Sequence, residues 1–244
     1  MTVQIIEVIR RSEQGVTQPY ICRGDNDKIY FVKGIGAGRR SQICEWVAGN
    51  LGLVLGLPIA PFDIVEVPEE LMELNFTLDL SDLGSGPAFG SQRQEVMELN
   101  VSAVNEVSEQ LQQDVLAFDW WIRNGDRLLT EEGGNPNLFW NPGDQELIVI
   151  DHNQAFDATF DPSTFNELHI FRSQRQRVFG DMLRHQDYNR RFSLALNNWP
   201  EICNNLPKEW FFADVEMTVP VNFSLDDTYK LLEEYQKNGF WTVP

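Results

Sequence analysis

The chain has 244 residues, 42% of them hydrophobic, enough for one large domain or for two lobes. With 37 Asp+Glu against 19 Lys+Arg its net charge is −18; such an acidic balance argues against a general nucleic-acid surface and against docking on anionic lipid. No apolar run is long enough to span a bilayer, the first residues are too short and polar for a secretory leader, and Cys22, Cys44 and Cys203, without metal-ligand spacing, point to reduced thiols in a cytoplasmic protein.

Residues 3–9, 20–22 and 28–32 read as strands, the last two joined by the turn Arg23-Gly24-Asp25-Asn26-Asp27, so the chain opens on an antiparallel sheet. Lys33 closes the third strand. A strand-end lysine is ordinarily a solvated edge residue; in a kinase the same placement brings the ammonium to the α- and β-phosphates. Gly34-Ile35-Gly36-Ala37-Gly38 follows, with Arg39 and Arg40 after it. The run lacks both the Gly-Lys-Ser/Thr ending of a P-loop and the dinucleotide fingerprint, and its simplest role is a flexible connection from strand to helix. A helix is expected over 41–55, with Ile43, Trp46, Val47, Leu51, Val54 and Leu55 on one side, and Gly56-Leu57-Pro58 stops it. Glu45 in its first turns is either an acid favoured by the helix dipole or the carboxylate that pairs with Lys33.

Residues 62–67 form another strand, 68–80 fit neither period, and 84–91 is the most loop-like stretch, read as a connection between lobes. A helix over 100–122 runs into Phe118-Asp119-Trp120-Trp121-Ile122, whose tryptophans belong to a core. It stops at Asn124-Gly125 and delivers Asp126 into a loop. A hairpin follows: Asn137 precedes Leu138-Phe139, Asn141-Pro142-Gly143-Asp144 makes the turn, and the strand 146–150 ends on Asp151. Each of Asp126, Asn137 and Asp151 alone is an ordinary turn residue. Their joint order suits metal-dependent phosphoryl transfer: one carboxylate orients the attacking hydroxyl, while an amide oxygen and a second carboxylate hold Mg²⁺ on the phosphates. His152 reads as a structural hydrogen-bonder. The remainder is helical, over 163–171, 172–185, 189–202 and 224–237. Arg172, Arg175 and Arg177 form a solvated face, His169 and His185 lack metal-ligand companions, and Trp210, Phe211 and Phe212 are packing aromatics.

In Lys33, Glu45, Leu57-Pro58, Asp126-Arg127, Asn137-Leu138-Phe139 and Ile150-Asp151-His152 the chain resembles the HipA-like kinases and, more distantly, the phosphoinositide kinases, over roughly residues 15–156. It departs from them in a longer Asp-to-Asn spacing. The insert Leu128-Leu129-Thr130-Glu131-Glu132-Gly133-Gly134 leaves Asn135 and Asn137 both open as the metal ligand, and Asn137 is favoured because the strand begins directly after it. The resemblance implies a two-lobed α+β protein-kinase-like fold, with a small, mainly antiparallel N-lobe (1–85) and a mostly helical C-lobe (86–244). It further implies ATP and Mg²⁺ as cofactors and phosphorylation of a protein serine or threonine. Lys33 would bind phosphates, Glu45 would hold it, Asp126 would be catalytic, Asn137 and Asp151 would bind metal, and Arg127 would support the loop or a phosphate. The protein substrate is unknown, a regulatory partner protein fits the family's usual setting, and neither nucleic acid nor membrane is expected. The contrasting reading is a non-catalytic nucleotide-binding or partner-binding module with the same fold.

Overall fold

The strands expected near the N-terminus form, and they close into a barrel instead of lying as an open sheet. Strands β1 (Val3–Arg11), β2 (Tyr20–Gly24) and β3 (Ile29–Lys33) precede helix α1 (Arg39–Val54), strand β4 (Phe62–Val67), helix α2 (Glu69–Leu74) and strand β5 (Gly86–Gln92). The strand order is β1-β2-β3-β5-β4, and a parallel pairing of β1 with β4, Val3 opposite Val65, closes it; the other pairings are antiparallel. Register shifts in β1, between Ile5 and Glu7 and between Val8 and Arg10, supply the extra residues that bend and twist a strand around such a closure. The barrel is filled by Ile5, Val8, Tyr20, Cys22, Tyr30, Val32, Val65, Val67 and Ala88, and burial pushes the Cys22 thiol up to about 12, so it stays protonated and unreactive.

This computed structural model describes residues 2–13, 17–74, 78–94, 96–130 and 133–242. The chain is a mixed α+β protein, and its described residues fall into two compact units. One lies within Met1–Trp46, Ala60–Glu95 and Leu206–Phe223, the other within Val47–Ile59, Val96–Asn205 and Ser224–Pro244. Part of the stretch 68–80 that fitted neither period is α2; Asn75, Phe76 and Thr77 lie outside the described residues, as does the centre of the expected turn over 10–19, at Gln14, Gly15 and Val16.

Two glycine-rich stretches differ from their sequence reading. The loop-like 84–91, expected as a connection, contains β5, so the strand Gly86–Gln92 beyond the boundary at 85 is part of the barrel. Its glycines suit close strand approach more than flexibility: a Cβ at Gly90 would lie 2.7 Å from Val65 Cγ1. The run 34–38 is a bonded turn. Ile35 N–H donates to Leu83 O at 3.1 Å and Gly36 N–H to Asp82 O at 2.7 Å, while Ala37 and Gly38 close a 3₁₀ turn on Gly34 and Ile35. A Cβ at Gly34 would fall 2.0 Å from the Leu83 carbonyl oxygen. The N–H donors of residues 35–38 are thus taken by backbone carbonyls, and this run cannot cradle a phosphate in the manner of a P-loop. In the same unit Trp210 is fully buried and donates its indole N–H to Pro87 O at 2.9 Å.

The longest run of the second unit opens with β6 (Met97–Glu98). The helix expected over 100–122 is divided: a 3₁₀ turn spans Val101–Glu106, and Ser108 then caps α3 (Glu109–Trp121) by accepting Leu111 N–H at 3.3 Å. Strands β7 (Leu128–Thr130) and β8 (Gly133–Asn135) make a small hairpin, and β9 (Leu138–Asn141) and β10 (Glu146–Val149) make the expected one, extended by β6 to the order β10-β9-β6. Helices α4 (Pro162–Leu168), α5 (Arg175–Phe179), α6 (Met182–Leu196), α7 (Trp199–Asn204) and α8 (Leu225–Leu232) follow. Asp161 and Asp181 each accept two backbone N–H groups and start α4 and α6, so the 15-residue α6 begins inside the expected 172–185, while the other four are shorter than expected. Trp121 stacks on Phe192 with centroids 4.2 Å apart and donates to Leu232 O at 2.8 Å, while Trp120 meets Phe160, Phe165, Phe179 and Phe240. Both tryptophans are core, as expected. Among the described residues no helix is long and apolar enough to cross a membrane.

Candidate active site

In the first unit, Lys33 ends β3 and Glu45 stands two turns into α1. Both are buried, and the Lys33 ammonium donates to Glu45 Oε1. Of the two readings of Glu45, the structure selects the ion pair. Gln42, one turn earlier on α1 and fully buried, donates from Nε2 to the Lys33 carbonyl at 2.5 Å, and Arg39 donates to Gln42 Oε1 at 3.0 Å and to Pro87 O at 3.3 Å. Helix α1 is therefore fastened to the end of β3 through both the side chain and the backbone of Lys33. Arg39, which follows the glycine run, is engaged in this bracing. Gln42 was not singled out in the sequence; its only signal is a position three residues before Glu45, on the same helix face.

In the second unit, α3 ends at Trp121, and its left-handed stop is Arg123 (φ 51°), not Asn124-Gly125. Asn124 is buried and donates to Asp119 Oδ1 at 2.9 Å. Asp126 follows, half-buried, and its Oδ2 accepts from Asn137 Nδ2 at 3.2 Å. Asp126 and Asn137 therefore meet despite the long insert. The insert folds on itself: β7 and β8 pair Leu128 with Asn135, which returns the chain to its starting point. Glu131 and Glu132 lie outside the described residues. Asn137 is buried while Asn135 is exposed and only accepts the Asn137 N–H at 3.3 Å, so the inward amide is that of Asn137. Asp151 is one residue past Ile150, whose N–H donates to Asn137 O at 3.1 Å. Asn137 (φ 51°) and Asp151 (φ 56°) both sit in the left-handed region, which Asn and Asp tolerate best among residues with a Cβ. The Leu57-Pro58 pair is tied to the same place, Pro58 O accepting Val149 N–H at 2.8 Å.

The residue that draws these strands together is Arg127. It is fully buried, so of its two sequence readings the structure keeps the loop support and discards the phosphate contact. Its Nη1 donates to Asn137 O at 2.7 Å and to Pro136 O and Ile150 O at 3.2 Å each, and its Nε donates to Asp119 Oδ2 at 2.7 Å. One guanidinium thus fixes the backbone on both sides of the Asn137–Asp151 pair. Asp119 is the counter-charge. Burial alone would raise its carboxyl, but Arg127 and the His169 hydrogen bond outweigh that and hold it well below the usual carboxylate range. His169 Nδ1 accepts the Phe171 N–H at 3.1 Å, which leaves the ring proton on Nε2 to donate to Asp119 Oδ2, also at 3.1 Å. Burial lowers the His169 pKa despite that partner. A charged residue inside the apolar run Phe118–Ile122 was the available signal for Asp119, because a buried carboxylate requires a cation. Arg172, expected on a solvated face, donates instead to Leu129 O at 2.9 Å and braces β7. His152 is buried with its ring edge-on to Phe118.

The depressed His169 pKa has a consequence for stability. An unfolded histidine takes up a proton near pH 6.5 while the folded one resists, so its contribution is whole above about pH 6.5 and lost as pH falls through the lower folded value. Asp119 acts in the same direction but only below the ordinary carboxylate range. The unfolding free energy of the parent chain is expected to fall by up to about 1 kcal/mol more than that of His169→Gln between about pH 6.5 and 5.5. Denaturant titrations at the two pH values measure this, and equal pH slopes in the two proteins would refute it. The general relief of repulsion in so acidic a chain cancels in the difference.

A mixed α+β chain with a strand-end lysine paired to a helix glutamate, and an Asp-Asn-Asp set gathered by a buried arginine, is a kinase-like protein. The chain belongs to the HipA-like kinase family, whose model matches residues 5–244 and so takes in the helical remainder, where the sequence offered no motif. No curated protein matches it. Among solved structures it is similar to the proinflammatory kinase CtkA of Helicobacter pylori, with a TM-score of 0.54 over 97% of this chain and 95% of that one; at 10% identity the likeness is one of fold.

Proposed function

We propose that the chain is an ATP- and Mg²⁺-dependent phosphotransferase acting on a serine or threonine hydroxyl of a protein, and that its two units are the N- and C-lobes of a protein-kinase-like fold. What carries this reading is the Asp126–Asn137 hydrogen bond at 3.2 Å, in a loop pair held by Arg127. Asn137 commits its Nδ2 to Asp126, so its amide oxygen is the polar atom left over, without a protein partner among the described residues. That oxygen and the Asp151 carboxylate are hard donors of the kind Mg²⁺ accepts. When bound there, the cation would neutralise charge on the phosphates.

Asp126 would accept the hydrogen bond of the acceptor hydroxyl and take its proton as the oxygen–phosphorus bond forms and ADP leaves. Lys33 would offer its ammonium to the nucleotide's phosphates, and Glu45 would hold that ammonium in a single orientation. The family and the fold support a kinase. The longer Asp126-to-Asn137 spacing, which is compatible with a non-catalytic module, holds the paired strands β7 and β8, and Asp126 and Asn137 are in contact.

The test is incubation of the purified chain with Mg²⁺ and γ-labelled ATP, with phosphosites located by mass spectrometry, beside calorimetric titration of ATP. Label on Ser or Thr in the parent, and loss of both label and Mg²⁺-dependent ATP binding in Asp151→Asn, is the expected result. Absence of both label and ATP binding in the parent would sink the proposal.

A further inference from the structure

Charge is distributed unevenly along this acidic chain. Between Arg172 and Arg191 there are six arginines and two acidic residues, whereas the whole chain has 37 Asp+Glu and 19 Lys+Arg. Within the second unit two of these arginines line an open cavity of about 550 Å³, walled by Gln176, Arg177, Gly180, Asp181 and Arg184, while Arg190 pairs with Asp187, Arg191 with Asp114, and Arg172 braces β7. Arg184 Nη1 donates to Gln110 Oε1 at 2.6 Å, and Arg177 pairs with Glu109, an ion pair more than half exposed on both sides. Such an exposed pair contributes little to stability and exchanges readily for another carboxylate. Arg175, on the same short helix as Arg177, is exposed and has no side-chain partner among the described residues. Between Asp181 and Arg184 stand Met182 and Leu183, each 75% exposed. Asp181 itself is occupied, its Oδ1 accepting Leu183 N–H at 2.9 Å and Arg184 N–H at 3.4 Å.

We propose that this cavity is a docking site for an acidic peptide segment of a partner or substrate protein, with carboxylates forked by Arg177 and Arg184 and apolar side chains laid on Met182 and Leu183. Charge complementarity argues for that occupant: guanidinium pairs receive carboxylates bidentately, and a flexible methionine beside a leucine adapts to apolar side chains of varied shape. The acidity of the rest of the chain would repel the same segment elsewhere, which confines it to this face. The inference stands apart from the phosphotransferase reading and is tested by binding alone.

The probe is a fluorescein-labelled peptide of alternating glutamate and leucine, followed by fluorescence anisotropy, with a lysine–leucine peptide as control. Saturable binding that weakens with added salt, and at least about tenfold in Arg177→Glu/Arg184→Glu, is expected. Met182→Ser/Leu183→Ser should weaken it by a smaller factor. Should the charge reversal unfold the protein, as judged by circular dichroism, Arg175→Glu replaces it and should weaken binding severalfold. No binding below about 1 mM, unchanged binding in the reversed variants, or equal binding of the lysine peptide would overturn the proposal. So would a patch-dependent self-association in sedimentation, or patch-dependent binding of an oligonucleotide in place of the peptide.

Discussion

Replacing Arg127 by methionine is expected to cost about 3–5 kcal/mol of folding stability, a large part of the roughly 5–15 kcal/mol that holds a domain together. The side chain keeps its length and apolar stem but loses the guanidinium. Asp119, fully buried, would then retain its charge with only His169 and Asn124 as partners, and the carbonyls of Pro136, Asn137 and Ile150 would lose the donor that Arg127 gives them. Burying an uncompensated carboxylate is the dominant part of that cost. Arg127→Lys restores the charge but not the fork, and should fall between the two. The double change Arg127→Met/Asp119→Leu should recover much of the loss, because an intact buried ion pair is weak evidence of net stabilisation while a broken one is strongly destabilising. Denaturant unfolding followed by tryptophan fluorescence reads all four proteins. A loss below about 1 kcal/mol in Arg127→Met would show that the network is not the keystone of the loop pair.

Asp126→Asn should reduce phosphoryl transfer by about 10²–10⁴-fold, the usual contribution of a positioned general base, while leaving ATP affinity within about twofold. An amide at position 126 keeps an oxygen for Asn137 Nδ2, so the local bond of 3.2 Å has a substitute and the fold is spared. What is lost is the group that receives the hydroxyl proton. The contrast with Asp151→Asn, expected to lose Mg²⁺-dependent nucleotide binding, separates the two carboxylates by role. Single-turnover label transfer with calorimetry on the same samples measures both quantities. Full transfer activity in Asp126→Asn would remove Asp126 from the chemistry.

The sequence by itself determined the local features. Turn and strand chemistry marked the hairpin of β9 and β10 with Asn137 and Asp151 at its ends, the strand carrying Lys33, the helix carrying Glu45, and the order of these residues with Asp126, which together pointed to the HipA-like kinase family. These are properties of neighbouring residues and of period, so a single chain displays them. Two local readings failed where a residue type serves opposite ends: glycines in 34–38 and 84–91 signal flexibility in sequence, but serve close approach in a bonded turn and a barrel strand.

Tertiary structure alone decided what depends on distant partners. Closure of the barrel rests on a parallel pairing of β1 with β4, about sixty residues apart, and no strand pattern announces it. Arg127 could be assigned to loop or phosphate only once its burial was known, and the His169–Asp119 bond joins residues 50 positions apart. Whether a charged side chain is a surface group, a ligand or a keystone depends on the groups that desolvate and satisfy it, and the fold brings those from elsewhere in the chain.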